Sequence, residues 1–362
     1  MKSGKMLVFA LLMTVFPTLA RENGERWNDT DGNLINAHGG GVMYHDGRYW
    51  WYGEHRPDKG GTTQVGVTCY SSDNLQDWKY EGVALPVVEG DPMGVEPGCI
   101  VERPKVIYNA STGKYVMWFH HELKGQGYAA ARAAVAVADS PAGPFRMISS
   151  SRVNPGKSPR NLAITSSTPE YDKDREWWTP EWREDVEAGM FVRRDLEGGQ
   201  MSRDMTLFVD DDGKAYHIYS SEENLTLHIA ELNDDYTDHS GKYIRIFPGG
   251  HNEAPAVFKK GGKYWMIASG CTGWEPNEAR LMTSDSIMGE WTRLQNPCKG
   301  EMAEKTFMGQ STYVLPVEGK DGSFIAIFDR WNPKSLSDSR YLWLPVSFDD
   351  DGTPEIHWAD SF

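Results

Sequence analysis

Beyond residue 20 this 362-residue chain has no apolar run long enough to cross a bilayer as a helix. It also lacks any sustained helical period, which disfavours a helix bundle or a doubly wound α/β fold. Cysteine is scarce: Cys69, Cys99, Cys271 and Cys298 are the only four, and their spacing matches no metal motif. Basic residues are outnumbered, 37 Lys and Arg against 52 Asp and Glu, giving a formal charge of −15. That balance disfavours nucleic acid and anionic membranes as partners. A neutral ligand fits better, although acidity also serves simple solubility.

The one apolar run is N-terminal. Lys2 and Lys5 precede Met6–Phe16, and Thr18-Leu19-Ala20 places small residues before the polar Arg21-Glu22-Asn23. This is the layout of a secretory signal peptide over residues 1–20, predicting an exported protein, periplasmic or extracellular. Residues 21–362 are then long enough to bury a large core in a single domain without staples. Export permits disulfides. Cys271 with Cys298 would close the shortest loop, and free buried thiols are the alternative.

A short pattern recurs along the chain. A turn ending in glycine precedes a run of aromatic and β-branched residues at Gly47, Gly113, Gly213, Gly262 and Gly322. Asp-Gly or Gly-Gly before such a run is a hairpin signal. The first four copies are followed, at similar distances, by an acidic turn and an aromatic: Asp73 with Trp78, Asp139 with Phe145, Asp234 with Tyr236, and Asp285 with Trp291. Repeated groups of short strands with aromatic punctuation predict an all-β protein, a five-bladed β-propeller. A β-sandwich with coincidental turns is the alternative. Gly113 and Gly213 stand 100 residues apart, wider than the other gaps. The excess, about residues 146–203, reads as an insertion between blades 2 and 3, rich in Pro, charge and Trp177, Trp178 and Trp182.

In a propeller the innermost strands converge on the axis, so acids heading those strands matter. Glu102, Asp204 and Glu253 head the second, third and fourth repeats, each before an apolar strand. A carboxylate at the start of a buried strand is costly unless it is paired or functional. Several at one axis suit glycoside hydrolysis, where one acid must stay protonated near neutral pH and another group must activate water. Trp274 and Trp331 are candidates to stack on sugar rings. His38, His120, His121 and His251 read as hydrogen-bonded core or channel residues rather than ligands.

The chain resembles glycoside hydrolase family 43, and within it the exo-β-1,3-galactanases. The resemblance rests on NAHGGGV (36–42), WYGE (51–54), VERPKVIYN (101–109), SRDMTLF (202–208), NEAPAVF (252–258), SGCTGW (269–274) and GQSTYV (309–314). It implies a five-bladed propeller that releases galactose from β-1,3-galactan, the backbone of type II arabinogalactan, with inversion. Glu253 matches the general acid, and Asp204 the carboxylate that raises the acid's pKa. Most of the family carries a base Asp at the first inner strand, where this chain has Ala37-His38-Gly39-Gly40. The galactanases share that gap, and Gln310 matches their proposed substitute, either as an imidic tautomer or by orienting water while Glu102 takes the proton. Glu54, Glu102, Tyr128, Glu222, Thr272 and Trp331 match galactose-binding positions, with Glu223 the alternative to its neighbour Glu222. No cofactor is expected, although a structural Ca2+ at the axis is compatible with such propellers. The expected partner is a polysaccharide and the expected state a monomer. An arabinofuranosidase or xylosidase of the same family, or a non-catalytic sugar-binding propeller, are the competing readings.

Overall fold

The computed structural model describes residues 20–362, so the signal peptide expected over 1–20 lies, but for its last residue, outside the described residues. Blade 1 comprises β1 (His38–His45), β2 (Arg48–Glu54), β3 (Gly66–Ser72) and β4 (Lys79–Pro86). Blade 2 comprises β5 (Ile100–Asn109), β6 (Lys114–Glu122), β7 (Arg132–Ala138) and β8 (Arg146–Ser151). Two short helices follow, α1 (Pro180–Glu187) and α2 (Met190–Arg194). Blade 3 is β9 (Met205–Val209), β10 (Ala215–Ser221), β11 (Thr226–Leu232) and β12 (His239–Ile246). Blade 4 is β13 (Asn252–Lys260), β14 (Lys263–Gly270), β15 (Arg280–Ser284) and β16 (Thr292–Arg293). In blade 5, β17 (Cys298–Lys299) pairs in parallel with β21 (Pro354–His357) outside β18 (Gln310–Pro316), β19 (Phe324–Arg330) and β20 (Arg340–Phe348).

The five turn glycines of the repeat each fall between the first and second strands of β1–β2, β5–β6, β9–β10, β13–β14 and β18–β19. Gly47, Gly113, Gly213, Gly262 and Gly322 all have positive φ, the left-handed conformation those hairpins need. Because each blade is covered on both faces by its neighbours, the strands read as apolar runs rather than strict alternations. Five buried clusters fill the five interfaces. Tyr52 and Cys69 meet Met117 and Phe119 between blades 1 and 2. Trp118 meets Tyr219 between blades 2 and 3, and Ile218 meets Met266 between blades 3 and 4. Phe258 meets Phe328 between blades 4 and 5, and Trp51 meets Trp343 between blades 5 and 1.

The ring closes through the chain's N-terminal stretch. Asn23 exchanges hydrogen bonds with the Trp343 backbone, donating at 3.0 Å and accepting at 2.7 Å. Trp27 wedges between Trp51 and Trp343. All four cysteines are free thiols, so the Cys271–Cys298 pairing expected from loop length is not made. Cys298 stands in β17 at the blade 4–5 core, whereas Cys271 leaves the end of β14 toward the axis. The insertion also begins later than expected: residues 146–151 are the outer strand of blade 2, and the added segment lies between β8 and β9. It is anchored by its own small core of Trp182, Val186, Met190, Phe191 and the blade 3 residue Leu225.

Each of the inner strands β1, β5, β13 and β18 carries a bulge near its start, between His38 and Gly41, Glu102 and Lys105, Glu253 and Ala256, and Ser311 and Tyr313. A bulge inserts one residue and re-aims the neighbouring side chain. Gly39, Arg103 and Ala254 occupy matching places with φ of 58°, 56° and 53°. Blade 3 differs: Asp204 lies just before β9, its carbonyl accepting from Ser220 N at 2.9 Å. The glycines of β1 are forced by close packing. A Cβ on Gly40 would lie 1.7 Å from the Tyr52 carbonyl oxygen, a backbone atom that cannot move aside. Gly40→Ala is therefore expected to lower unfolding free energy by about 1–3 kcal/mol or more, measured by urea denaturation. Gly198→Ala, where a Cβ meets nothing within 4 Å, should change it little.

Candidate active site

The bulged starts of the inner strands point their side chains into a cleft of about 580 Å³ at one end of the propeller axis. Its walls include Glu102, Asp204, Glu253, Gln310, Tyr128, Trp274 and Trp331, so seven of the site candidates named from the sequence surround one space. Arg103 organises them. It is 5% exposed, and its guanidinium donates to Asp204 Oδ2 at 2.9 Å and Gln310 Oε1 at 2.7 Å. It also donates to the Ser311 carbonyl at 3.1 Å. One planar fork thereby ties blade 2 to blades 3 and 5. The neighbouring Ala254 N–H donates to the same Asp204 oxygen at 3.1 Å, adding blade 4.

Gln310 is fixed through its own amide. Its oxygen accepts from Arg103 and from the Trp331 indole N–H at 2.9 Å, and its NH2 donates to Ser269 Oγ at 3.1 Å. Trp331 is packed under two guanidiniums, Arg56 at 5.4 Å and Arg103 at 5.9 Å, and meets the exposed Trp274 edge-on at 5.6 Å.

On the blade 2 side the carboxylates are set apart by their partners. Arg56 lies between Glu54 and Glu102, 2.9 Å from each. Glu102 also meets His120 at 3.2 Å and accepts from the Tyr128 hydroxyl at 3.0 Å. Burial would raise the Glu102 carboxyl, but Arg56 and His120 outweigh it and hold it well below the usual carboxylate range. His120 is buried yet raised to about 9, because it bridges Glu102 and Glu122. Glu54 has no such surplus of cations. Burial, opposed by Arg56 and reinforced by the Glu102 charge, raises it to about 8. The pair shares one arginine, so Glu102 carries the charge and Glu54 keeps its proton.

Glu253 is the other raised acid. Burial and the Asp204 charge, partly offset by Arg103, lift it to about 8. A carboxyl that stays protonated near neutral pH beside an ionic network is what a proton donor to a leaving oxygen requires.

Three expected positions do not line the cleft. Glu54 is 1% exposed and lies behind Gly39, where a Cβ would come 2.2 Å from its Oε1. Its carboxyl thus fills the space beside the strand that lacks the family's base Asp. Glu222 is a correction: it is fully buried and bound at 2.7 Å by Arg245 Nε and Nη2 and at 2.8 Å by His228, away from the cleft. Residues 222–224 all adopt positive φ, so strand alternation fails there. Its neighbour Glu223 instead pairs with Arg203, a cleft residue, at 3.1 Å. Thr272 is exposed beside the cleft residues Gly273 and Trp274, and its hydroxyl closes a local turn with Glu275 and Asn277. Arg56, Arg103, Arg203 and Asn224 are cleft residues that the sequence did not single out, whereas His120, expected as a hydrogen-bonded core or channel residue, lines the cleft. The VERPK motif held the one usable signal, an arginine beside the strand-heading acid.

Glu102, His120 and Asp204 place one donor atom each within 4.8 Å of one another. This set does not suit Ca2+, because Arg56, Arg103 and a charged His120 already compensate the two carboxylates. Deeper on the axis, the buried ammonium of Lys105 donates to the Gly39 carbonyl at 2.9 Å.

The sequence profile described as Glycosyl hydrolases family 43 matches residues 160–354. The chain belongs to that family. It is a glycoside hydrolase, and the propeller carries its active site. Among solved structures, it is similar to a GH43 β-1,3-galactosidase solved with galactodeoxynojirimycin. The two are 64% identical, covering 94% of this chain and 99% of that one, with a TM-score of 0.92. It is also similar to an exo-β-1,3-galactanase from Clostridium thermocellum, at 37% identity over 94% of this chain and 66% of that one, with a TM-score of 0.77. An exo-β-1,3-galactanase from Phanerochaete chrysosporium, solved with galactose, shares 29% identity over 94% of this chain and 67% of that one, with a TM-score of 0.74. Among curated protein sequences nothing matches.

The proton on Glu54 has a consequence for stability. Its folded pKa of about 8 lies above the ordinary 4.5, so the folded state holds a proton that the unfolded chain has released between those values. Stability contributed by this group is therefore lost as pH rises through that window. Glu54→Gln removes the titration. Its urea midpoint is expected to match the parent near pH 5 and to exceed it near pH 8.

Proposed function

We propose that this glycoside hydrolase removes galactose from the non-reducing ends of β-1,3-galactan chains, including the backbone of type II arabinogalactan, with inversion. The observation that carries the reading is the pairing of Glu253, raised to about 8, with Asp204 and Gln310 held by a single arginine in one cleft. The galactosidase and galactanase likenesses support galactose rather than pentose as the sugar released. The N-terminal pattern supports export, with the protein acting as a monomer on polysaccharide outside the cytoplasm.

In this mechanism Glu253 donates its proton to the glycosidic oxygen as the bond to the anomeric carbon breaks. The Asp204 charge keeps that proton on Glu253 until the leaving oxygen needs it. Water attacks from the opposite face, which yields the inverted anomer. Gln310 holds this water. Its carbonyl is occupied by two donors, so it works as an orienting amide rather than by gaining a proton on oxygen. Glu102, kept ionised by Arg56 and His120, accepts from sugar hydroxyls and shares in taking the water's proton. Trp331 and Trp274 give the sugar an aromatic wall.

Glu253→Gln is expected to abolish release of galactose from β-1,3-galactan while leaving sugar binding within about threefold, because a neutral acid and its amide differ little in the ground state. In the parent enzyme kcat/KM should fall as pH rises through about 8, where Glu253 loses its proton. Pentose release from aryl pentosides with no galactose from galactan would replace the reading with the arabinofuranosidase or xylosidase one. Gln310→Ala and Glu102→Ala are both expected to reduce kcat. If only Glu102→Ala abolished turnover, without weakening binding, Gln310 would have no part in holding the water.

A further inference from the structure

A second, smaller pocket of about 190 Å³ lies between the insertion and the connection from β12 to β13. Arg183 and Arg293 line it, over a floor of Phe247, Pro248, Gly249 and Gly250. Both arginines are exposed, and neither forms an ion pair among the described residues. Arg280 joins them from below, its guanidinium donating to the Gly250 and His251 carbonyls at 2.9 and 2.6 Å. Burial, and after it the nearby Arg293 charge, disfavours the charged form of Arg280. Two arginines in a pocket wall that holds no carboxylate are unexpected in a chain of net charge −15. Like charges held together repel unless an anion joins them.

Asn252 supplies an independent sign. It is 1% exposed, lines this pocket, and its amide oxygen accepts from Arg280 at 2.5 Å. That bond fixes the amide orientation, so the NH2 is the free end, and this buried nitrogen has no hydrogen-bond partner. A buried donor left unmatched costs free energy that an acceptor in the pocket would recover. Beside the pocket stands Trp178, half-exposed, with a φ of 71° that is unusual for a bulky side chain. Its ring lies 5.3 Å from His251, and the Arg183 guanidinium sits 5.9 Å over it. Thr179 caps α1 by accepting from Trp182 N at 3.2 Å, which fixes Trp178 immediately outside the helix.

We infer that this pocket is an accessory subsite for a sugar unit bearing an anionic group, a uronate carboxylate or a sulfate ester, carried on the polysaccharide substrate. Trp178 offers an apolar face to the ring, Arg183 and Arg293 receive the anion, and the Asn252 amide donates to it. Asn252 immediately precedes Glu253 in β13, so one strand contributes to both pockets. The inference rests on the hydrolase reading for its link to turnover, but the binding site itself does not.

The test uses the full enzyme and the double variant Arg183→Ala/Arg293→Ala, which leaves the cleft residues untouched. Binding is measured first by NMR titration with methyl β-D-glucuronoside, methyl β-D-galactoside 6-sulfate and uncharged methyl β-D-glucoside. The parent should bind one or both anionic probes, and the double variant should bind them about tenfold more weakly. A carboxylate-only or sulfate-only response identifies the group. Turnover is then compared on neutral β-1,3-galactobiose and on a β-1,3-galactan oligosaccharide with a side chain carrying the group that bound. The variant should keep its rate on the neutral substrate and lose about tenfold in kcat/KM on the acidic one. Equal binding of all three probes, or an unchanged ratio between substrates, overturns the subsite. Failure of the parent to cleave neutral galactobiose, with anion binding intact, would instead overturn the hydrolase reading.

Discussion

One guanidinium joins three blades, and the active site depends on it. Arg103 stands in a bulge with positive φ at the start of the second inner strand, and from there its fork reaches a carboxylate of blade 3, an amide of blade 5 and a backbone carbonyl of blade 5. Strands converging on an axis bring side chains near one another but do not orient them. A buried arginine with matched acceptors does, because leaving the charge unpaired costs about 3–5 kcal/mol and leaving a neutral acceptor unmatched about 1–3 kcal/mol. Arg103 therefore has a single low-energy arrangement, which fixes where Asp204 and Gln310 point.

Around that pin the same residue type takes opposite protonation states. Glu102 is surrounded by Arg56, His120 and the Tyr128 hydroxyl, and is ionised. Glu54, buried behind it and sharing the same arginine, is neutral. Glu253, facing the Asp204 charge in a desolvated wall, is neutral as well. The division follows from counting cations: two arginines and one imidazolium satisfy Glu102 and Asp204, leaving Glu54 and Glu253 to keep their protons. The missing base Asp of the first blade belongs to this same economy of space, since the Glu54 carboxyl occupies the position beside Gly39.

Much of the fold was legible because the repeat is written in local chemistry. Every turn glycine of the repeat sits at the hairpin between first and second strands, with the positive φ that hairpin demands. The strand-heading acids were legible for the same reason, as charges placed before apolar runs. What escaped were contacts made across blades. Arg56 and Arg103 are ordinary residues in the sequence, and only the closing of the ring sets them against Glu102 and Asp204. Glu222 was misplaced because three consecutive left-handed residues break the alternation that would have aimed it at the axis, turning it onto Arg245 and His228. The disulfide expectation failed on geometry: Cys271 and Cys298 are near in sequence but serve different regions of blades 4 and 5.

The arrangement is tested most directly by a crystal structure of the Glu253→Gln enzyme with β-1,3-galactobiose bound. The expected result is a galactose ring in the main cleft with its glycosidic oxygen facing residue 253, a water on the opposite face within hydrogen-bond reach of Gln310, and both Arg103 contacts retained. A disaccharide bound elsewhere on the propeller, or an Arg103 released from Asp204 and Gln310 to hold the sugar itself, would contradict it.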